Sequence, residues 1–251
     1  MQREHKLPLI TIWFWLMKII ATTLGETLGD HISMTLNLGY LVSLIITFAF
    51  FLIVLFNQLV ARKYVPIFFW LVIIATTTVG TEISDFIDRS LHLGYAWGSL
   101  LLFSLLIITL WLWVKKYKNL SLESITGGTK EIYFWMAVLF SNSLGTAFGD
   151  YLSDNLGLSY LIGALITAAV ILLVVLLHYF TKINHIILFW IAFIFTRPFG
   201  ATFGDFLTKP VAKGGLDLGT LTATLVSLLL MGLLIVQSHR TLKQSLQNKS
   251  T

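Results

Sequence analysis

Four aspartates sit at equivalent positions along the chain. Asp30, Asp85, Asp150 and Asp205 each follow a small residue (Gly29, Ser84, Gly149, Gly204) and each lie fifteen residues beyond a tryptophan (Trp15, Trp70, Trp135, Trp190). Carboxylates repeated at one register can ring a hard cation such as Mg²⁺, Mn²⁺ or Ca²⁺, which take oxygen ligands. A polar column leads up to each aspartate. Four residues earlier stand Glu26, Thr81, Thr146 and Ala201, and eight residues earlier Thr22, Thr77, Asn142 and Arg197. A spacing of four keeps these on one helical face. Lys18 extends the first column by a turn, and Glu82 adds an acid one residue off the second. An arginine at mid-depth requires a carboxylate partner, and Glu26 is the natural one. The expected ion-binding set is therefore Glu26, Asp30, Glu82, Asp85, Asp150 and Asp205, with Thr22, Thr77 and Asn142. Lys18 and Arg197 balance charge, and Asp30, Asp85, Asp150 and Asp205 are the metal ligands proper. Converging anions repel one another unless a cation or a proton is bound.

The aspartates belong to a longer motif, Phe-Trp-x9-Gly-x3-small-Asp, which occurs four times without a gap. The copies start at Phe14, Phe69, Phe134 and Phe189, so they are 55, 65 and 55 residues apart. Each pairs its glycine with the small residue four positions on, a pattern that lets helix backbones approach closely in lipid. Leu38-Gly39-Tyr40 and Leu93-Gly94-Tyr95 repeat as well; Tyr160 survives in copy three, and copy four departs with an insertion around Lys213-Gly214-Gly215.

The elements that must carry this motif are membrane helices. Of 251 residues, 57% are apolar and 12% charged, against about 25% charged in soluble domains. Eight stretches reach the roughly 20 apolar residues a span needs: about 8–32, 39–60, 65–88, 93–114, 131–153, 158–180, 184–207 and 216–237. The expected fold is an all-α membrane protein of eight transmembrane helices. Each copy holds two spans, so the four repeats are parallel, around a pseudo-symmetry axis along the membrane normal. The odd helices should form an inner bundle, because the even spans carry few polar residues and no charge. Residues 1–117 hold repeats one and two, 118–130 a cytoplasmic linker, 131–238 repeats three and four, and 239–251 a cytoplasmic tail. Twelve Lys and Arg residues, from Arg3 and Lys6 to Lys243 and Lys249, fall on the face of the termini, against Arg89, Lys209 and Lys213 on the other. That bias places both termini in the cytoplasm. With the tryptophans in the cytoplasmic aromatic belt, the aspartates lie about 22 Å away, near the outer surface.

The repeats and their tryptophans resemble a bacterial membrane-protein family defined by four tandem repeats of unknown function, each with two transmembrane regions and a characteristic Trp. The resemblance covers nearly the whole chain, implies a bacterial inner-membrane location and supplies little function. The basic balance is a topology signal, which argues against nucleic acid as a partner. Zero cysteines exclude thiolate metal sites and cysteine catalysis. No Ser-His-Asp constellation, nucleotide loop or metal-binding His pair is visible. The chain is expected to be no enzyme and to hold no resident cofactor. Its expected partners are the lipid bilayer and an inorganic cation, with self-association left open. The leading expectation is a transporter of a hard divalent cation, Mn²⁺ slightly favoured, with acid–base pairs that allow proton coupling. The alternatives are a carrier of a small organic solute, or a membrane scaffold or enzyme.

Overall fold

The computed structural model describes residues 6–122 and 125–248, with the side chains of 241–248 left out. Arg3, Lys249 and the side chain of Lys243, all counted in the charge bias, lie outside what is described. Within it are eight long helices and no strand: α1 Ile12–Asp30, α2 Tyr40–Val60, α3 Pro66–Asp85, α4 Tyr95–Tyr117, α5 Thr129–Asp150, α6 Tyr160–Phe180, α7 His185–Thr208 and α8 Thr220–Asn248. Six are long and apolar enough to cross a bilayer by composition alone; α1 and α5 are not among them. These two carry the Lys18–Glu26–Asp30 and the Ser-, Asn- and Thr-rich columns, and they take ring positions equivalent to those of α3 and α7. Protein, not lipid, covers their polar faces, so a multi-pass membrane protein of eight helices accommodates them.

The odd helices form a closed ring in the order α1, α3, α5, α7 and back to α1. Burial separates the layers: 78% of the α3 span is buried, against 22% for α2. The outer helices expose large apolar side chains such as Ile53, Leu165 and Leu229, a surface suited to lipid and not to water. The two helices of one repeat are not each other's main partners. Instead α2 packs on α3, α4 on α5, α6 on α7, and α8 closes onto α1. Each repeat thus lends its outer helix to the next repeat's inner helix.

The motif glycines explain how the ring closes so tightly. An added Cβ at Gly25 would overlap Thr77, at Gly80 it would press on the backbone of Asn142 and Ser143, at Gly145 it would overlap Arg197 and Pro198, and at Gly200 Thr22. In each case the glycine receives the residue eight before the aspartate of the neighbouring copy. The two registers of the motif are therefore two sides of one joint, made four times.

After Asp30, Asp85 and Asp150 the helix widens into a π-helical turn, over His31–Thr35, Phe86–Ser90 and Tyr151–Asn155. In copies one and two the chain then reverses through Gly39 and Gly94, at φ of +74° and +76°, a conformation that favours glycine. Copy four keeps this entry at Gly219-Thr220, with φ +75° at the glycine. It departs upstream, where α7 runs on to Thr208 without a π turn and a 3-10 turn over Val211–Lys213 follows within five extra residues, and it has a threonine in place of the tyrosine.

At the opposite end the Phe-Trp pairs interlock. Phe14 packs on Trp70 and Phe69 on Trp135, both with ring centroids 5.6 Å apart; Phe134 meets Trp190 at 6.3 Å, and Phe189 closes onto Trp15 at 5.6 Å. The expectation of an interfacial aromatic belt needs correcting, since Trp70, Trp135 and Trp190 are buried. They join neighbouring inner helices and fill the ring. Lys6, expected among the surface cations, is also buried. Its Nζ bonds Glu131 Oε2 at 2.6 Å and the Leu59 carbonyl at 3.0 Å, while Gln58 Nε2 donates to Glu131 Oε1 at 3.1 Å. This end is closed. Trp135→Ala should lower unfolding stability in detergent by about 3–5 kcal/mol. The exposed Trp97→Ala should stay within about 0.5 kcal/mol in the same thermal-unfolding measurement.

Candidate cation site at the aspartate end

Arg197 forms the floor of the site. It is fully buried, and its Nη2 bonds Glu26 Oε2 at 2.7 Å, Thr81 Oγ1 at 2.6 Å and Thr146 Oγ1 at 2.5 Å. Its Nη1 donates to the Thr22 carbonyl at 3.2 Å. One guanidinium thus touches α1, α3 and α5 from α7. Thr81 and Thr146, each four residues before an aspartate, supply acceptors where copy one has Glu26.

Beneath it the remaining polar residues divide by task. Thr77 Oγ1 donates to the Ala21 carbonyl at 3.0 Å, and Thr22 Oγ1 to the Thr196 carbonyl at 3.2 Å. Thr22 and Thr77, expected to bind the ion, have hydroxyls shared between their own helix, at the Ile19 and Ile74 carbonyls (2.8 and 2.7 Å), and the neighbouring helix backbone. Asn142 accepts from Lys18 Nζ at 3.2 Å and donates to Thr76 Oγ1 at 3.1 Å. The Lys18 ammonium also lies 4.3 Å from the centre of the Phe193 ring. Lys18, Asn142 and Phe193 form a separate layer, between Arg197 and the aromatic closure.

Above Arg197 the four aspartates gather in two pairs, each bridged by a cation. Arg89 Nη2 bonds Asp150 Oδ2 at 3.1 Å, and its Nε lies 3.4 Å from Asp85 Oδ1. The same guanidinium donates to the hydroxyls of Tyr40 at 3.1 Å and Tyr95 at 3.0 Å. Lys209 Nζ lies 2.6 Å from Asp30 Oδ2 and 3.2 Å from Asp205 Oδ1. Burial opposes the charge on Lys209, yet Asp205 and Asp30 beside it raise its pKa above the ordinary lysine value. Arg89 and Lys209 had the look of loop charges on the outer face. A signal for both was present: each stands four residues after its aspartate, one helical turn on. At that register copies one and three carry Met34 and Asp154. A twofold pattern of cations is thereby laid over a fourfold frame.

The carboxylates outnumber these cations. Glu26, Asp30, Glu82, Asp85, Asp150 and Asp205 are all buried, and they face Arg89, Arg197 and Lys209. Oxygens of Glu26, Asp30 and Asp205 all lie within 4.8 Å of one another, so copies one and four converge on one point. Asp85 and Asp150, expected as equal metal ligands, meet through Arg89 instead. Glu82 is fully buried with no cation in contact, the nearby Ser33 hydroxyl donates to the Gly29 carbonyl at 2.9 Å, and the charges of Asp30, Glu26 and Arg89 act on it. A cavity of about 210 Å³ opens above, lined by Asp150, Asp154, Asp205, Lys209, Tyr160 and Met34 among others. Of the expected site residues, Asp150 and Asp205 line it. Three oxygens at this separation can chelate a hard cation, and the cavity is large enough to admit one with part of its hydration shell.

Searches of curated proteins and of solved structures returned no match. Residues 13–64, 68–118, 133–184 and 188–243 each match the Repeat of Unknown Function (DUF347), so the chain belongs to that family of repeats.

Proposed function

We propose that this protein carries a hard divalent cation, Mn²⁺ slightly favoured, across the bacterial inner membrane, with both termini cytoplasmic and the aspartate end outward. It is no enzyme and needs no resident cofactor; the ion is the cargo. The observation that carries this reading is the convergence of Glu26, Asp30 and Asp205 within 4.8 Å, in a site where buried carboxylates outnumber cations. Uncompensated buried anions are costly, and a bound cation or protons offset that cost. Glu82 and the aspartates that give up the ion can take up protons, which supports exchange against protons.

Proteoliposomes with a Mn²⁺-quenched dye inside test the reading. The wild-type protein should admit Mn²⁺, and Asp30→Asn and Asp205→Asn should slow uptake by about tenfold or more, because each removes a charge from the binding point. Asn variants that fold normally and keep full metal binding and transport would show the carboxylates to be structural helix ends.

A further inference from the structure

We propose that Lys209 is a tethered stand-in for the carried cation: its ammonium bridges Asp30 and Asp205, two of the three carboxylates of the Glu26–Asp30–Asp205 point, in this state, and an incoming divalent ion takes that point by displacing it. This inference rests on the cation reading and says what the site does between ions.

The geometry sets Lys209 apart from the other cations. Arg197 is locked by hydrogen bonds to several helices. Arg89 is held by Asp150 and two tyrosine hydroxyls. The Lys209 ammonium has Asp30 and Asp205 alone as close partners among the described residues. Its side chain is 22% exposed and lines the cavity beside Asp150 and Asp154. A lysine is a compact point charge on a flexible stem, so the ammonium can leave for the cavity and find carboxylates there.

The backbone suits this role. α7 ends at Thr208, and Lys209 is extended, with φ of −77° and ψ of 156°. Beyond it lies the five-residue insertion that copy four alone carries, around Lys213-Gly214-Gly215. Copies one and three do without a cation at this register, so the fold itself does not demand one.

Glu82 gives the independent sign of a ligand. It is wholly buried, it has no cation in contact, the nearby Ser33 hydroxyl donates to the Gly29 carbonyl at 2.9 Å, and it is near enough to Glu26 and Asp30 for their charges to act on it. Lys209 satisfies Asp30 and leaves Glu82 unmet. An ion with two charges would bind Asp30 directly and offset the charge of Glu82 through space. Glu26 contacts Arg197 through Oε2, which leaves Oε1 for the ion. When no ion is present, the ammonium keeps the empty site from holding bare anions.

The test uses the full-length protein in nanodiscs, with Mn²⁺ alone as the probe and Mg²⁺ and Ca²⁺ in parallel. Acetylation by a water-soluble amine reagent is mapped by mass spectrometry, and Lys63, exposed at the other end of the helices, serves as the reference. Saturating Mn²⁺ should raise Lys209 labelling about threefold or more, since displacement frees the amine. By calorimetry, Lys209→Gln should bind Mn²⁺ about tenfold tighter, because an internal competitor has been removed, while Lys209→Arg stays near wild type or weaker. Wild-type protein that binds Mn²⁺ with Lys209 labelling flat or lower overturns the proposal and leaves the cation reading standing. So does a folded Lys209→Gln variant that binds no tighter. If that variant does not fold, labelling of the wild type decides alone. Absence of Mn²⁺, Mg²⁺ and Ca²⁺ binding in wild type and variants alike removes the cation reading, and this inference with it.

Discussion

Arg197→Met should destabilise the protein by about 3–5 kcal/mol, because it strands Glu26 without its partner inside the ring. The lost contacts are the 2.7 Å pair and the bonds to Thr81, Thr146 and the Thr22 carbonyl. The double variant Glu26→Gln with Arg197→Met should recover most of that stability, since neither member of the pair is then left as a charge without its partner. Unfolding followed in detergent for both singles and the double gives a coupling energy, and strict additivity would contradict the pairing. On the proposed function, transport should stay lost in the double variant, because Glu26 belongs to the proposed binding point.

Gly145→Leu should be at least as damaging. Its first side-chain carbon would already overlap Arg197 and the Pro198 ring, and three further carbons have no space between α5 and α7. Overpacking of this kind costs about 1–3 kcal/mol or more, and here it also pushes Arg197 off its acceptors. Gly232→Leu is the matched control: it lies on the outer helix α8, and a Cβ there meets nothing within 4 Å. Expression and monodispersity by size-exclusion chromatography should separate the two variants. Equal tolerance would contradict the inner and outer assignment of the helices.

The repeat, the helices and the inward face of the odd helices were legible because they rest on periodicity. Spacings of four and a carboxylate every copy are written along the chain. What periodicity does not reach is the partner across space. Arg89 and Lys209 read as loop charges because π turns and an extended residue follow the aspartates, and only the fold turns those segments back over the ring. The tryptophans read as belt residues because 15 residues of helix give a depth and no rotation. Phe and Trp in succession point about 100° apart, so the pair spans the joint between neighbouring inner helices. Lys6 was misjudged for another reason: its partner Glu131 is 125 residues away, and no other copy has an acid at that register. The pairing of each outer helix with the next repeat's inner helix is likewise invisible to a pattern that is the same in every copy.

Closure of the ring through α7 imposes an order on biosynthesis. Glu26 meets Arg197 171 residues later, and Asp30 meets Lys209 179 residues later. Helix α1, made before the other seven, therefore carries charges whose counterparts are translated 171 and 179 residues later. A charged residue at the centre of an isolated span costs about 2.5–3.5 kcal/mol on insertion scales. α1 is also one of the two helices too polar to count as a span by composition. The nascent chain is an open arc with its acidic edge unsatisfied until the seventh helix arrives. Until then α1 has reason to remain in the translocon or at the lipid surface, so the last quarter of the protein acts as the keystone of the first.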